Sequence, residues 1–335
     1  MLAARLHDIG DIRIAEEDIP VAGVGEVLLR VTAVGICGSD IHWFAEGTTG
    51  DGSFSDPFVL GHEFAAVVEE GKLAGRRVAV DPHVCCGVCE FCLAGNPNFC
   101  PNHYFAGQAP QDGGLREVIA WPEDFLFPVP DSISDQGAAM LEPLGVALHT
   151  VDLGKLRPGM RVGVYGCGPI GLLVIQLARL SGAVEIIATD KLEHRLQAAE
   201  QMGATRLFLA ENGAEAIDIM AATAGHGVDV AFEVAGDQGA IDTAVATCKP
   251  GGTVIICGIP SDERSSFRVA SARRKGLTFK IVRRMKHTYP RAIALVDAGL
   301  IDVDSLVSHH FPLKECAAAF AAAEARQGLK VIINP

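Results

Sequence analysis

The chain has 335 residues, 49% of them hydrophobic and 37 of them glycine, and a formal net charge of −13. The length is about twice that of a usual single domain, so two compact units are expected; the acidic charge is spread without a basic stripe, which argues against nucleic acid as a partner. The first 20 residues are charged throughout and the most apolar stretch, 161–188, is broken by Arg161, Gln176, Arg179 and Glu185, so neither a secretory signal nor a membrane span is expected and the chain reads as cytoplasmic.

Residues 1–146 alternate short β-rich runs (26–36, 59–71, 76–82) with Gly and Pro punctuation, the pattern of an irregular, mostly antiparallel β unit. Polar residues lie at its turns: Cys37 in C-G-S-D-I-H, His62 and Glu63 in G-H-E, and Glu142 in E-P-L. Each by itself fits a core thiol, a satisfied histidine or a surface carboxylate. The segment between them is more specific. Cys86, Cys89, Cys92 and Cys100 follow a C-x-x-C-x-x-C-x7-C spacing, four thiolates in one short lobe and enough to close a tetrahedral zinc shell with no position left for water. A site of that kind is structural. Cys85 is off the spacing and reads as a spare thiol.

From about residue 147 the rhythm becomes strand, helix, strand: strands at 161–166, 184–190, 206–210, 228–234 and 252–258, with helices over 169–181 and 193–202. This predicts an α/β unit with a doubly wound parallel sheet. Its first strand runs into Gly166-Cys167-Gly168-Pro169-Ile170-Gly171 and then an apolar helix, the context a dinucleotide fingerprint requires. The first glycine permits the tight turn, the second lets a pyrophosphate approach the backbone, and the third lets the helix lie close to the strand. Asp190 closes the second strand about 20 residues further on, where a carboxylate accepts hydrogen bonds from ribose hydroxyls and repels a 2′-phosphate. NAD is therefore expected over NADP. After the stretch 277–284 come helices near 290–298 and 313–326 and a last strand at 329–335; periodicity does not choose between adding them to the sheet domain and returning the tail to the first unit.

Taken together, these motifs, in this order and at these separations, resemble the zinc-containing medium-chain alcohol dehydrogenase superfamily over nearly the whole chain. E-P-L at 142–144 looks like its sorbitol and polyol branch, which includes idonate and xylitol enzymes. The resemblance implies a GroES-like, β-rich catalytic domain (1–146 and 288–335) around an inserted Rossmann domain (147–287), and a homodimer or homotetramer. It also implies a catalytic zinc on Cys37 and His62, with Glu63 and Glu142 both candidates for the third ligand, and hence two zinc ions per subunit. By position, Ser39 and His42 look like the proton-relay pair, and Ile170, Asp190, Arg195, Gly258, Ile259 and Arg284 fall on cofactor or active-site contacts beside Gly166, Gly168, Pro169 and Gly171. Trp43 and Met285 depart from the residues common in polyol enzymes, and the complete cysteine lobe resembles microbial members, which favours a microbial polyol or aldonate.

The reaction so implied is oxidation of a secondary hydroxyl, with zinc polarising the oxygen, hydride passing to NAD, and the proton leaving through Ser39 and His42. Other readings are a threonine or simple alcohol dehydrogenase of the same superfamily, a zinc-free quinone reductase of similar fold, and a non-enzymatic NAD-binding protein. The quinone reductase would leave the metal-type residues without a use, and the non-enzymatic role is opposed by intact metal and relay residues.

Overall fold

The strand Glu26–Gly35 organises the first half of the protein. Its buried side chains alternate, with Val27, Leu29, Val31 and Ala33 facing the core, as the two-residue period of a half-buried strand requires. The structure, a computed structural model, describes residues 1–49, 52–260 and 264–335. Among them, two units separate: Met1–Gly145 with Lys286–Pro335, and Val146–Met285.

In the first unit, Glu26–Gly35 pairs antiparallel with Glu63–Val68, which carries the end of the G-H-E motif, and with Val118–Pro122. The last strand of the chain, Lys330–Asn334, also joins it, placing Ile333 opposite Val34 and Ile332 opposite Gly35. The tail is thus part of this sheet, where periodicity alone leaves its placement open. A second tie is Tyr289, which stacks on Phe127 at 4.6 Å and donates its hydroxyl to the Val80 carbonyl at 2.7 Å. Leu29, Phe58, Phe64, Trp121, Phe320 and Ile333 fill the core.

Among the described residues of the second unit, the six strands run parallel. The sheet order is Arg206–Leu209, Glu185–Asp190, Arg161–Tyr165, Val228–Glu233, Cys248–Ile256, Thr278–Ile281, that is third, second, first, fourth, fifth, sixth along this unit. The doubly wound expectation therefore holds, and its topological switch point lies between Arg161–Tyr165 and Val228–Glu233. Tyr165, Ile187, Ile219, Ala231 and Val254 form its core. The helix expected over 313–326 is shorter, a single 3-10 turn at Leu313–Glu315 followed by Cys316–Glu324. Among the described residues, no helix is long and apolar enough to cross a membrane.

Candidate metal and cofactor sites

The four-cysteine lobe forms where the chain turns tightly around the short helix Glu90–Leu93 and the 3-10 turn Pro97–Phe99. The Sγ atoms of Cys89 and Cys92 are 3.5 Å apart, those of Cys100 and Cys86 3.5 Å, and those of Cys89 and Cys100 3.8 Å. A tetrahedral shell with Zn–S bonds of about 2.3 Å sets its sulfurs roughly 3.8 Å apart. All four are free thiols, so the spacing fits a metal shell with little rearrangement. Backbone N–H groups of Val88 and Cys89 lower the Cys86 thiol to about 6, while burial raises those of Cys92 and Cys100; a bound cation would supply the charge that holds all four as thiolates.

The second donor set is assembled by a helix cap and a strand pair. Cys37 is the N-cap of the helix Gly38–Glu46, and Asp40 closes a capping box by accepting from the Cys37 N–H at 2.9 Å. Gly47, at φ 71°, ends the helix. His62 follows Gly61, whose φ of 93° and closeness to Val34 admit only glycine without strain. Glu63 then opens its strand directly opposite Gly35. The result brings the donor atoms of Cys37, His62 and Glu63 within 4.8 Å of one another. Glu142 lies outside that converging set. It sits in the first turn of the helix Leu141–Gly154 and is buried. Burial pushes its carboxyl up to about 8, while His62 and Lys330 draw it down and Glu63 and Asp81 raise it.

Two residues that sequence reasoning passed over complete this cluster. Asp40 is 1% exposed, and its other oxygen lies 3.3 Å from both the Gly61 nitrogen and His62 Nδ1. It thereby orients the imidazole and leaves Nε2 for a metal, the outer-shell role a ligating histidine usually needs. Burial opposes a charge on His62, but Asp40 and Cys37 outweigh it and raise the pKa well above its ordinary value. Lys330 forms a fully buried ion pair with Glu63; a Cβ at Gly35 would run into the Glu63 carboxylate and come within 2.9 Å of Lys330 Cε, so a glycine is needed beneath the pair. The D of C-G-S-D was legible as a cap. Lys330 had no signal, because only the strand pairing brings it here.

Ser39 and His42 both lie on the helix that Cys37 caps, and His42 Nδ1 is 3.1 Å from Glu46 Oε1 one turn further on.

In the second unit, Gly166 has φ 108° and abuts Ala235, and a Cβ on Gly171 would strike the Gly166 carbonyl. Gly168 is the N-cap of the helix Pro169–Leu180, with no side chain capping it. The nearest atom to a Cβ placed there is Arg195 Nη1, at 3.8 Å. There is thus room at Gly168, at a helix N-terminus with a guanidinium nearby, a setting that suits a pyrophosphate. Asp190 accepts from the Cys167 N–H at 2.7 Å and from the Leu192 N–H at 2.9 Å. Those bonds pin the carboxylate against the glycine turn; a carboxylate has about four acceptor positions, so capacity for ribose hydroxyls is left. Ile259 is 52% exposed, a large apolar side chain with an open face next to Gly258. Arg284 adopts φ 53°, in the left-handed region.

The zinc-binding dehydrogenase family matches residues 169–298, and the alcohol dehydrogenase GroES-like domain matches residues 23–131. The chain belongs to the zinc-binding dehydrogenases. It is 37% identical to a sorbitol dehydrogenase of Bacillus subtilis, over 100% of this chain and 97% of that protein. Among solved structures it is similar to L-idonate 5-dehydrogenase from Escherichia coli, with a TM-score of 0.92 and 28% identity over 100% of this chain and 98% of that one. A zinc-binding dehydrogenase from Sinorhizobium meliloti bound to NADP gives a TM-score of 0.90 and 32% identity, over 100% and 99%.

Membership of this family establishes an oxidoreductase with a GroES-like domain and a parallel-sheet cofactor domain, in agreement with the resemblance drawn from the G-H-E, C-G-S-D-I-H and glycine-turn motifs. Both halves of the zinc-binding dehydrogenase pattern have residues of the required chemistry: soft thiolates in the lobe, and a mixed sulfur, nitrogen and oxygen set beneath Asp40.

Proposed function

We propose that the chain oxidises a secondary hydroxyl of a polyol or sugar acid, of sorbitol, xylitol or idonate type, with NAD as hydride acceptor and zinc as Lewis acid. The observation that carries the proposal is the convergence of Cys37, His62 and Glu63 on one point, braced by Asp40, in a chain whose second unit ends its second strand in a buried Asp190 tied to the glycine turn.

Cys37, His62 and Glu63 would hold the catalytic zinc, and Cys86, Cys89, Cys92 and Cys100 the structural one. Bound zinc supplies charge that acidifies a hydroxyl, and NAD supplies the hydride acceptor. The residues of this chain do the rest. Asp40 keeps His62 in the ligating tautomer, and Lys330 restrains the Glu63 carboxylate. Glu63 is the third ligand in this reading; Glu142, outside the converging set, is an acid beside it, able to accept or release a proton near neutral pH. Ser39 takes the substrate proton and His42, held by Glu46, passes it on. Asp190 selects NAD, since a 2′-phosphate would meet its charge. Gly166, Gly168, Pro169, Ile170, Gly171 and Arg195 serve the pyrophosphate end, and Gly258, Ile259 and Arg284 the nicotinamide end. The NADP-bound relative makes this selectivity a sharp test rather than a family rule. The protein acts as a homodimer or homotetramer in the cytoplasm.

A panel of polyols, aldonates, simple alcohols and threonine, followed by NADH absorbance, tests the substrate class. Turnover led by polyols or aldonates supports the reading. Preference for ethanol-like alcohols or threonine would replace it with the simple alcohol or threonine dehydrogenase alternative.

A further inference from the structure

Glu233 has no place in the chemistry above, yet it is the acid at the sheet's switch point. It ends the strand Val228–Glu233, level with Tyr165 on one side and Ile256 on the other, and it is 0% exposed. Its Oε1 accepts from the Ala235 N–H at 2.8 Å and the Gly236 N–H at 2.7 Å, while its backbone carbonyl accepts from Cys257 at 2.8 Å and Gly258 at 3.2 Å. Its Oε2 is buried without a hydrogen-bond partner among the described residues. A carboxylate placed there costs desolvation energy, and what it does in return is accept from the N–H groups of the loop that follows.

The two loops it gathers touch each other backbone to backbone. A Cβ at Gly258 would strike the Gly236 nitrogen and lie 2.9 Å from Glu233 Oε1, and one at Gly236 would strike the Ile259 carbonyl. Gly236 itself sits at φ 67°, a conformation glycine adopts freely and other residues rarely do. The first loop also reaches back to the fingerprint, since Ala235 lies 2.9 Å from where a Cβ of Gly166 would be.

We infer that Glu233 is a positioning residue for the cofactor: by holding Ala235 and Gly236 it sets the height of the Gly258–Ile259 loop, on which the nicotinamide end of NAD rests. This rests on the assignment of Gly258 and Ile259 as cofactor contacts. The adenine end should be far less dependent on it, because Asp190 holds the glycine turn with its own bonds.

The test measures binding of NADH and of ADP-ribose, which lacks the nicotinamide, to the zinc-loaded wild type and to Glu233→Ala, Glu233→Gln and Gly236→Ala, with zinc content and melting temperature alongside. Leaving two buried N–H groups unpaired is worth about tenfold or more in an equilibrium. Glu233→Ala is expected to raise the NADH dissociation constant and the KM for NAD at least tenfold, with ADP-ribose binding changed less than threefold. Glu233→Gln keeps one accepting oxygen and should recover most of that loss. Gly236→Ala, which leaves Glu233 intact and displaces Ile259, should reproduce the NADH-selective weakening even where Glu233→Ala fails to fold. Equal loss of NADH and ADP-ribose, or NADH binding unchanged in both alanine variants, would overturn the inference. A wild type that binds ADP-ribose and NADH equally well would instead undo the assignment of the Gly258–Ile259 loop on which it rests.

Discussion

Replacing Asp40 by Asn isolates what the buried carboxylate does, because the shape is conserved and only one oxygen and the charge are lost. Asp40 satisfies the Cys37 N–H through one oxygen, while the other lies near Gly61 N and His62 Nδ1. Asn has a single accepting oxygen, so whichever way its amide turns, an NH2 group faces a buried donor. With the site 1% exposed, one unmet backbone N–H costs about 1–3 kcal/mol. Loss of the carboxylate behind a ligating histidine typically weakens metal binding or activity about 10–100-fold. The two effects separate experimentally. Thermal unfolding of the zinc-loaded enzyme reads the first, and competition with a graded zinc chelator, followed by metal analysis, reads the second. The four-thiolate site provides an internal control, since its zinc should be retained at the same chelator concentration. An Asp40→Asn enzyme that holds its catalytic zinc as tightly as the wild type, with undiminished turnover, would refute the claim that Asp40 sets the geometry of Cys37 and His62.

Metal analysis of the wild type should give two zinc ions per subunit, and Cys92→Ser should reduce this to one while lowering the melting temperature, because structural zinc binding is coupled to folding; loss of both ions, or of neither, contradicts the division into two sites. Ser39→Ala should cut turnover by about two to four powers of ten with zinc content unchanged, the usual worth of a positioned acid–base group; near wild-type turnover would show that solvent reaches the reacting hydroxyl directly. Asp190→Ala should lose most of the preference for NAD over NADP. It should also weaken NAD itself, since the Cys167 and Leu192 N–H groups lose their acceptor; a wild type that prefers NADP would show the assignment wrong.

The parts of the sites that could be read in advance are those built within a short segment. The glycine turn, its helix and Asp190 belong to one strand–helix–strand unit, and the four cysteines span a single lobe, so spacing alone encodes the chemistry. The capping role of Asp40 was within reach for the same reason, three residues from Cys37. Asp190 shows the limit of that reading: its position at a strand end implies a ribose contact, but its two bonds to backbone N–H groups appear only in the folded chain.

Lys330, Gly35 and Glu233 carried no local sign of their roles. Lys330 meets Glu63 because the last strand and Glu63–Val68 both pair with Glu26–Gly35, whose register is set by which face is buried. Gly35 reads as an ordinary strand glycine until the ion pair is seen lying over it. Glu233 reads as the end of a strand until the loops after two neighbouring strands are seen to meet on it. Composition and spacing determined which donors this chain possesses and how each short motif is shaped. Strand pairing decided which of the distant donors meet, because register depends on burial of faces that lie far apart in the sequence.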